Sequence, residues 1–255
     1  QRQMCIRDRL YGYRQIKWYA VSRRPSVKVS VIQGNILQQR KWDPGAWPQI
    51  LQEYLDLTAQ AARASVDLII TSPPYLNNYH YNRNTRPQLY WLGFAEHPSD
   101  LKPLEQANFG KYWQTVRHQD RIPLVFNLPD SDLEQRLEAL QQCNPEKGIY
   151  GGHGWANYAA AYFNDCYRFV QGISYVLKPG GAALVVIGNS ILQGIMIPTD
   201  QYLGKIAECA GLRWVDTDIP RATRVGNSII QSEVRVGKAK KHQQLYEAIV
   251  ELRCP

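Results

Sequence analysis

Apolar positions along the chain recur at two different spacings. In SVKVSVIQGNIL, residues 26–37, Val27, Val29 and Val31 alternate with polar neighbours and the run ends at Gly34-Asn35. A period of two followed by Gly-Asn predicts a strand and a turn. In residues 46–64, Ile50, Leu51, Tyr54, Leu55, Leu57 and Ala61 recur at helical spacing, so a helix is expected. VDLIIT, 66–71, is a short continuous apolar run, as expected of a buried parallel strand. A long polar stretch, 76–150, then interrupts the pattern, and a segment of that length between core elements is expected to be an inserted functional region. A long helix is predicted over 156–177, a type II turn at Lys178-Pro179-Gly180-Gly181 with positive φ at Gly180, and a buried strand over 182–188. A helix follows over 199–211, with Thr199 or Asp200 as N-cap and Gly211 just past its end. Residues 212–220 and 228–237 read as an antiparallel strand pair, and 240–253 as a closing helix. The order predicts an α/β sheet carrying an antiparallel edge strand.

Immediately after the 66–71 run stands Ser72-Pro73-Pro74-Tyr75. Neither proline can donate a backbone N–H, so the ladder ends there, and each preceding residue is held extended. The result is a stiff presentation of one hydroxyl, two carbonyls and one aromatic ring. In open α/β sheets, ligands bind at the carboxyl ends of strands, and this tract occupies such an end.

Composition adds a bias in partner. The 255 residues carry a net charge of +8, and 16 Tyr and 7 Trp accompany the Arg residues. A basic, aromatic-rich chain suits a polyanion whose bases can stack. Cys5, Cys143, Cys166, Cys209 and Cys254 show no Cys-x-x-Cys spacing, which argues against a structural zinc or a disulfide framework and makes a reducing, cytoplasmic setting the expectation. No metal-ligand cluster is visible, His153 included, and no apolar run approaches the roughly 18 residues of a membrane span.

The stretch DLIITSPPYLNNYHYNRNTRPQLYWLG, 67–93, resembles the catalytic segment of the DNA amino-methyltransferases, and YVLKPGGAALVVIGNS resembles their later helix–turn–strand segment. Together with the closing pattern the resemblance covers about residues 27–236. It implies a Rossmann-like, class I methyltransferase sheet and S-adenosylmethionine as cofactor. It also implies double-stranded DNA as partner, with a cognate restriction endonuclease as companion. The implied reaction is methylation of an exocyclic amino group of a flipped base. A leading Ser favours cytosine N4 over adenine N6. The chemistry accounts for the residue types. The amino lone pair is delocalised into the ring, and acceptors placed on its hydrogens can aim it at the methyl sulfonium. Ser72 and the Pro73 carbonyl are the acceptors, Pro74 stiffens them, and Tyr75 can stack on the flipped base, worth roughly 1–3 kcal/mol. No Pro-Cys dipeptide occurs, so attack at cytosine C5 is disfavoured.

Around this core the resemblance implies a cofactor contact at Asn35, with a plain turn as the other reading. Arg83, Arg86, Lys111, Arg117 and Arg121 are candidate DNA contacts, with solvated surface charge as the other reading. Asn189 could face the cleft or serve a turn. One family feature is missing: no glycine-rich cofactor motif follows any strand. Residues 1–9 read as an adapter-like artefact, and 10–255 as a partial catalytic domain with 76–150 as an inserted target-recognition or DNA-contact region. The first strands of the sheet are expected to be lacking, and weak binding of S-adenosylmethionine is the consequence. An RNA amino-methyltransferase, or a non-catalytic nucleic-acid binder on the same fold, are the alternatives.

Overall fold

A computed structural model describes residues 52, 56, 66–76, 84–111, 113–221 and 245–255. The predicted strand at 26–37, most of the helix at 46–64, the strand at 228–237, and the candidates Asn35 and Arg83 lie outside the described residues. Strand β1 (Val66–Thr71) leads into a region of short helices: α1 (Arg86–Trp91), α2 (Leu101–Ala107), α3 (Trp113–Val116) and α4 (Leu133–Gln141). The long helix α5 (Gly152–Val176) then delivers the chain to β2 (Leu177–Gly188), and a small hairpin, β3 (Ser190–Leu192) with β4 (Ile195–Ile197), follows. Helix α6 (Thr199–Cys209) and strands β5 (Arg213–Arg221) and β6 (Glu247–Arg253) complete the described elements.

The main sheet runs β1-β2-β6-β5. β1 is parallel to β2, while β6 is antiparallel to both β2 and β5. Three strands therefore share one direction, and the reversed strand sits one place in from the edge. This is an α/β fold with a mixed sheet, as the sequence pattern implies. The closing helix is the correction. Residues 247–253 form a strand whose even positions, Ala248, Val250 and Leu252, are fully buried while the odd positions are half-exposed. Glu-Ala-Ile-Val-Glu-Leu-Arg fits a helix by its Glu247/Glu251 spacing, but its period-two burial and β-branched centre fill a slot between two strands. The antiparallel partner of β5 among the described residues is accordingly β6.

Helix α5 explains how the inserted region is held. Residues 156–166 are buried on every side, which a helix achieves only when packed all round. One side carries Val170 and Phe163 toward the sheet and α6; the other faces the 113–141 region. Asn157 and Asn164, two helical turns apart, fasten that region by its backbone. Asn157 Oδ1 accepts from Ile122 N at 3.0 Å and its amide donates to the carbonyls of Val116, Gln119 and Asp120. Asn164 accepts from Val125 N and donates to Pro123 O, both at 2.9 Å. Buried amides satisfied in this way specify one docking of the insertion on the helix. In the core Val185, Ile187, Leu203, Ile206 and Leu252 are 0 % exposed, and each such side chain contributes about 1.5–3 kcal/mol.

The expected turn at 178–181 is present, with Gly180 at φ 76°, although hydrogen bonding carries β2 through it. Gly211 takes positive φ past the end of α6 as expected. The predicted caps of α6 are corrected: Pro198 occupies the N-cap position, and no side chain caps the helix. Thr199 Oγ1 instead donates to the Gly188 carbonyl, and Asp200 accepts from the Tyr246 hydroxyl at 2.9 Å. Both side chains are used to bind the helix start to the ends of β2 and β6.

Candidate active site

Strand register places the Ser72–Tyr75 tract. Thr71, the last residue of β1, lies opposite Val185, three residues short of the end of β2 at Gly188. The tract therefore leaves β1 early and crosses the end of β2. Pro73 is buried and Ser72 is exposed. Two carbonyls of the tract are anchored. Tyr162 of α5 donates its hydroxyl to Pro74 O at 2.9 Å, and Ser190 of β3 donates to Leu76 O. Burial pushes the Tyr162 phenol well above its ordinary pKa, so it remains a proton donor. Leu76, 2 % exposed, plugs into the core behind the tract. The prolines supply stiffness and these anchors supply position. Tyr162→Phe is expected to cost about 1–2 kcal/mol by leaving Pro74 O without its buried donor; chemical denaturation checks it, and an unchanged midpoint would mean that the anchor is dispensable.

Tyr75 lies across the glycine that ends β2. A Cβ built on Gly188 would stand 2.9 Å from Tyr75 Cδ2 and 3.1 Å from Cε2, so the ring needs a residue with no side chain beneath it. From there its hydroxyl donates to Glu247 Oε1 at 3.3 Å. Burial raises the pKa of Tyr75, Ser72 opposes that rise, and the Glu247 carboxylate adds to it. Glu247 can reach the site because β6 is antiparallel and starts where β1 and β2 finish. Behind it, Asn189 brackets Tyr246: its backbone N–H donates to Tyr246 O at 3.2 Å and its Oδ1 accepts from Tyr246 N at 2.8 Å. Asn189 is thus buried in a strand-end clasp.

The basic candidates are spread over the inserted region. Arg86 begins α1 and is exposed, 3.6 Å from Glu105. Lys111 is engaged inward: its ammonium contacts Asp165 at 3.1 Å and the carbonyls of Gln106 and Asn108 at 2.7 Å. Arg117 packs its guanidinium over Trp113 and Tyr150, 4.7 and 4.8 Å from the ring centroids. Arg121 is exposed beside Glu138 at 3.4 Å. His153 Nε2 bonds to Gln119 O, and no metal-binding cluster occurs among the described residues.

Glu247, Tyr162, Gly188 and Ser190 escaped the sequence reading. The period-two alternation of 247–253 was the available signal for Glu247. The others are defined by contacts between distant elements and carry no local signature.

As to the cofactor, the expected contact Asn35 is outside the described residues. A cavity of about 210 Å³ is lined by residues such as Arg121, Pro123, Leu137 and Asn157. What the described residues supply is a set of acceptors and a ring at the end of β1. Among the described residues, no helix is long and apolar enough to cross a membrane.

The chain resembles known proteins over part of its length. No protein-family model matches the chain. The type II methyltransferase M.AvaI of Nostoc is 30 % identical over 169 residues, covering 64 % of this chain and 34 % of the relative. The type II methyltransferase M.BsoBI of Geobacillus stearothermophilus is 27 % identical over 164 residues, covering 58 % and 31 %. The chain thus spans about a third of the length of these curated relatives. Among solved structures, the Thermus thermophilus protein TTHA0409, assigned as a DNA modification methylase and crystallised with S-adenosyl-L-methionine, aligns at a TM-score of 0.33. Its identity is 15 %, over 76 % of this chain and 51 % of that one.

Proposed function

We propose, from the premise that this chain belongs to the DNA methyltransferase family, that it methylates an exocyclic amino group of a base flipped out of double-stranded DNA. Cytosine N4 is favoured over adenine N6, and S-adenosylmethionine is the methyl donor. The observation that carries this reading is the tract at the end of β1. It is anchored at Pro74 O and Leu76 O, and it leaves the Ser72 hydroxyl exposed at its leading edge. An amino group of a base has two N–H donors and a poorly available lone pair. A hydroxyl held at fixed position, with the neighbouring Pro73 carbonyl, can accept those hydrogens and orient the lone pair. Bound S-adenosylmethionine would supply an electrophilic methyl; the residues of this chain orient the nitrogen and hold its protons.

The seat of Tyr75 on Gly188 sets where the ring faces a base. Gly188→Ala would force the ring to shift by a few tenths of an ångström or more. Transfer is expected to fall roughly tenfold, since small misplacements at a reacting centre are costly. Steady-state rates check this, and an unchanged rate would mean that the ring's position does not matter. DNA contact is assigned to the exposed Arg86 and Arg121, to the half-buried Arg117, and to Arg83, three residues before Arg86 in sequence; Lys111 serves the internal pair with Asp165. A basic chain of this kind is expected to bind DNA with an affinity that falls steeply with salt. The type II setting of the relatives supports a cognate restriction endonuclease as companion, and a cytoplasmic site of action.

The test is transfer of a deuterated methyl group from S-adenosylmethionine, at millimolar concentration because the glycine-rich motif is absent, to unmethylated bacterial DNA and to RNA. Mass spectrometry of the DNA is expected to find the label. Label in RNA with none in DNA would overturn the reading in favour of an RNA enzyme. DNA binding with no label in either would favour the non-catalytic binder.

A further inference from the structure

The candidate cations among the described residues of the inserted region meet different surroundings. Arg86 stands 3.6 Å from Glu105, Lys111 3.1 Å from Asp165 and Arg121 3.4 Å from Glu138. Each of these charges is already matched by a carboxylate. Among the described residues no carboxylate is paired with Arg117; its neighbours are two rings. The guanidinium carbon lies 4.7 Å from the Trp113 ring centroid and 4.8 Å from that of Tyr150. The two centroids are 5.7 Å apart and the ring planes are tilted by 44°. The charge therefore sits in a notch between two tilted rings. Trp155 backs the indole from the other element, stacked on Trp113 at 5.5 Å with 30° between the planes.

A guanidinium carries five N–H donors in a rigid fork and no acceptor. Arg117 uses one of them: its Nε–H donates to His118 Nε2 at 3.0 Å. Among the described residues no acceptor takes the N–H groups of its two terminal nitrogens. Ring faces attract a cation without satisfying its donors, so the charge is held and its fork stays available. That fork matches two oxygens of a phosphate side by side. Fixing it before the partner arrives reduces the entropy lost on binding. Helix α5 relates the notch to the reacting end. Trp155 and Tyr162, the residue that anchors Pro74 O, lie two helical turns apart on one face, about 10 Å along the axis. At about 3.4 Å per nucleotide, that length matches roughly three steps of a DNA strand.

We infer that Arg117, cradled by Trp113 and Tyr150, is the residue of the inserted region that grips a backbone phosphate of the DNA strand close to the flipped base. The inference rests on the proposed action on DNA, and it ranks cations that the proposal takes together. Arg86 and Arg121 share their charge with Glu105 and Glu138 and add little. It also gives a task to Tyr150, a large ring left 58 % exposed.

Anisotropy of a fluorescein-labelled, mixed-sequence DNA duplex, titrated with the chain between about 50 and 200 mM salt, reads the site without catalysis. Arg117→Ala is expected to lower affinity roughly tenfold and to make the slope of log affinity against log salt shallower by about one. Each matched pair is removed whole, Arg86→Ala with Glu105→Ala and Arg121→Ala with Glu138→Ala, so that net charge is kept. Both double variants are expected to stay within about twofold of wild type. Two further variants separate a held fork from charge alone. Arg117→Lys keeps the charge without the fork, and is expected to keep the slope and lose about fivefold in affinity. Tyr150→Ala removes one exposed ring of the cradle and is expected to cost about two- to fivefold. Full affinity in both would overturn the cradle. A slope unchanged in Arg117→Ala, or equal losses in the paired variants, would overturn the assignment to Arg117, as would binding of an RNA duplex with none of DNA. Arg117-dependent binding by a chain that transfers no methyl would overturn the proposed reaction and leave the phosphate grip standing.

Discussion

Ser72→Ala is expected to lower methyl transfer by about 10²–10³-fold, the effect of removing one preorganised hydrogen-bonding group from a reacting centre. Its affinity for DNA is expected to be unchanged. The separation follows from where the residue stands. Ser72 is exposed at the edge of the anchored tract, so removing its hydroxyl leaves no buried group unpaired. The tract is held by Tyr162 and Ser190 through Pro74 O and Leu76 O, neither of which involves Ser72. The backbone should therefore keep its course, and the exposed arginines should keep their places. What is lost is an acceptor on the amino group. The loss should appear in kcat, because that interaction matters most as the nitrogen lone pair leaves conjugation. Filter binding together with single-turnover transfer rates check this. Equal losses of binding and rate would mean that Ser72 holds the loop or the DNA and has no part in the chemistry.

Gly152→Ala is expected to destabilise the chain by about 3 kcal/mol, the upper part of the range for overpacking a filled interior. At this position helix α5 begins directly against the end of α4. The Gly152 N–H donates to Cys143 O at 2.7 Å. A Cβ there would stand 1.6 Å from Leu140 O and 2.8 Å from Cys143 O. Both obstacles are backbone atoms, so no side-chain rotation can relieve the clash. The start of α5 would have to move away from α4, and Leu137 and Leu140, both buried, would lose packing. Thermal unfolding should show the midpoint lowered by roughly 6–12 °C for a chain of this size. A midpoint within a degree of wild type would mean that the α4–α5 junction is looser than its contacts require.

Much of this was legible in the sequence, for physical reasons that differ by element. α5, β2 and α6 carry periodic or continuous apolar patterns and pack as expected; β1 pairs in parallel as expected but is not the buried strand its apolar run implies, since none of its residues is fully buried and Ile70 is 69 % exposed. Ser72-Pro73-Pro74-Tyr75 was readable because proline stiffness at a strand end is a local property. β6 was not. Residues 247–253 satisfy a helical spacing and an alternating one equally, and only the slot between β2 and β5 selects the strand. Since Glu247 reaches the site through that strand, the misreading of the element hid the residue. Gly188 and Tyr162 were hidden differently, because their roles exist only once Tyr75 and Pro74 have been brought onto them from about a hundred residues away. Thr199 and Asp200 looked like helix caps and are used in tertiary bonds, since the carbonyl of Gly188 and the hydroxyl of Tyr246 offered them buried partners.

The most direct test of the central claim is the identity of the methylated nucleoside. DNA incubated with the chain and deuterated S-adenosylmethionine is digested to nucleosides and separated by chromatography with mass detection. The account predicts deuterium in N4-methylcytosine, and its disappearance with Ser72→Ala. Deuterium in N6-methyladenine would contradict the base assignment while keeping the amino-group chemistry. Deuterium in 5-methylcytosine, or transfer that persists in Ser72→Ala, would contradict the mechanism built on the end of β1.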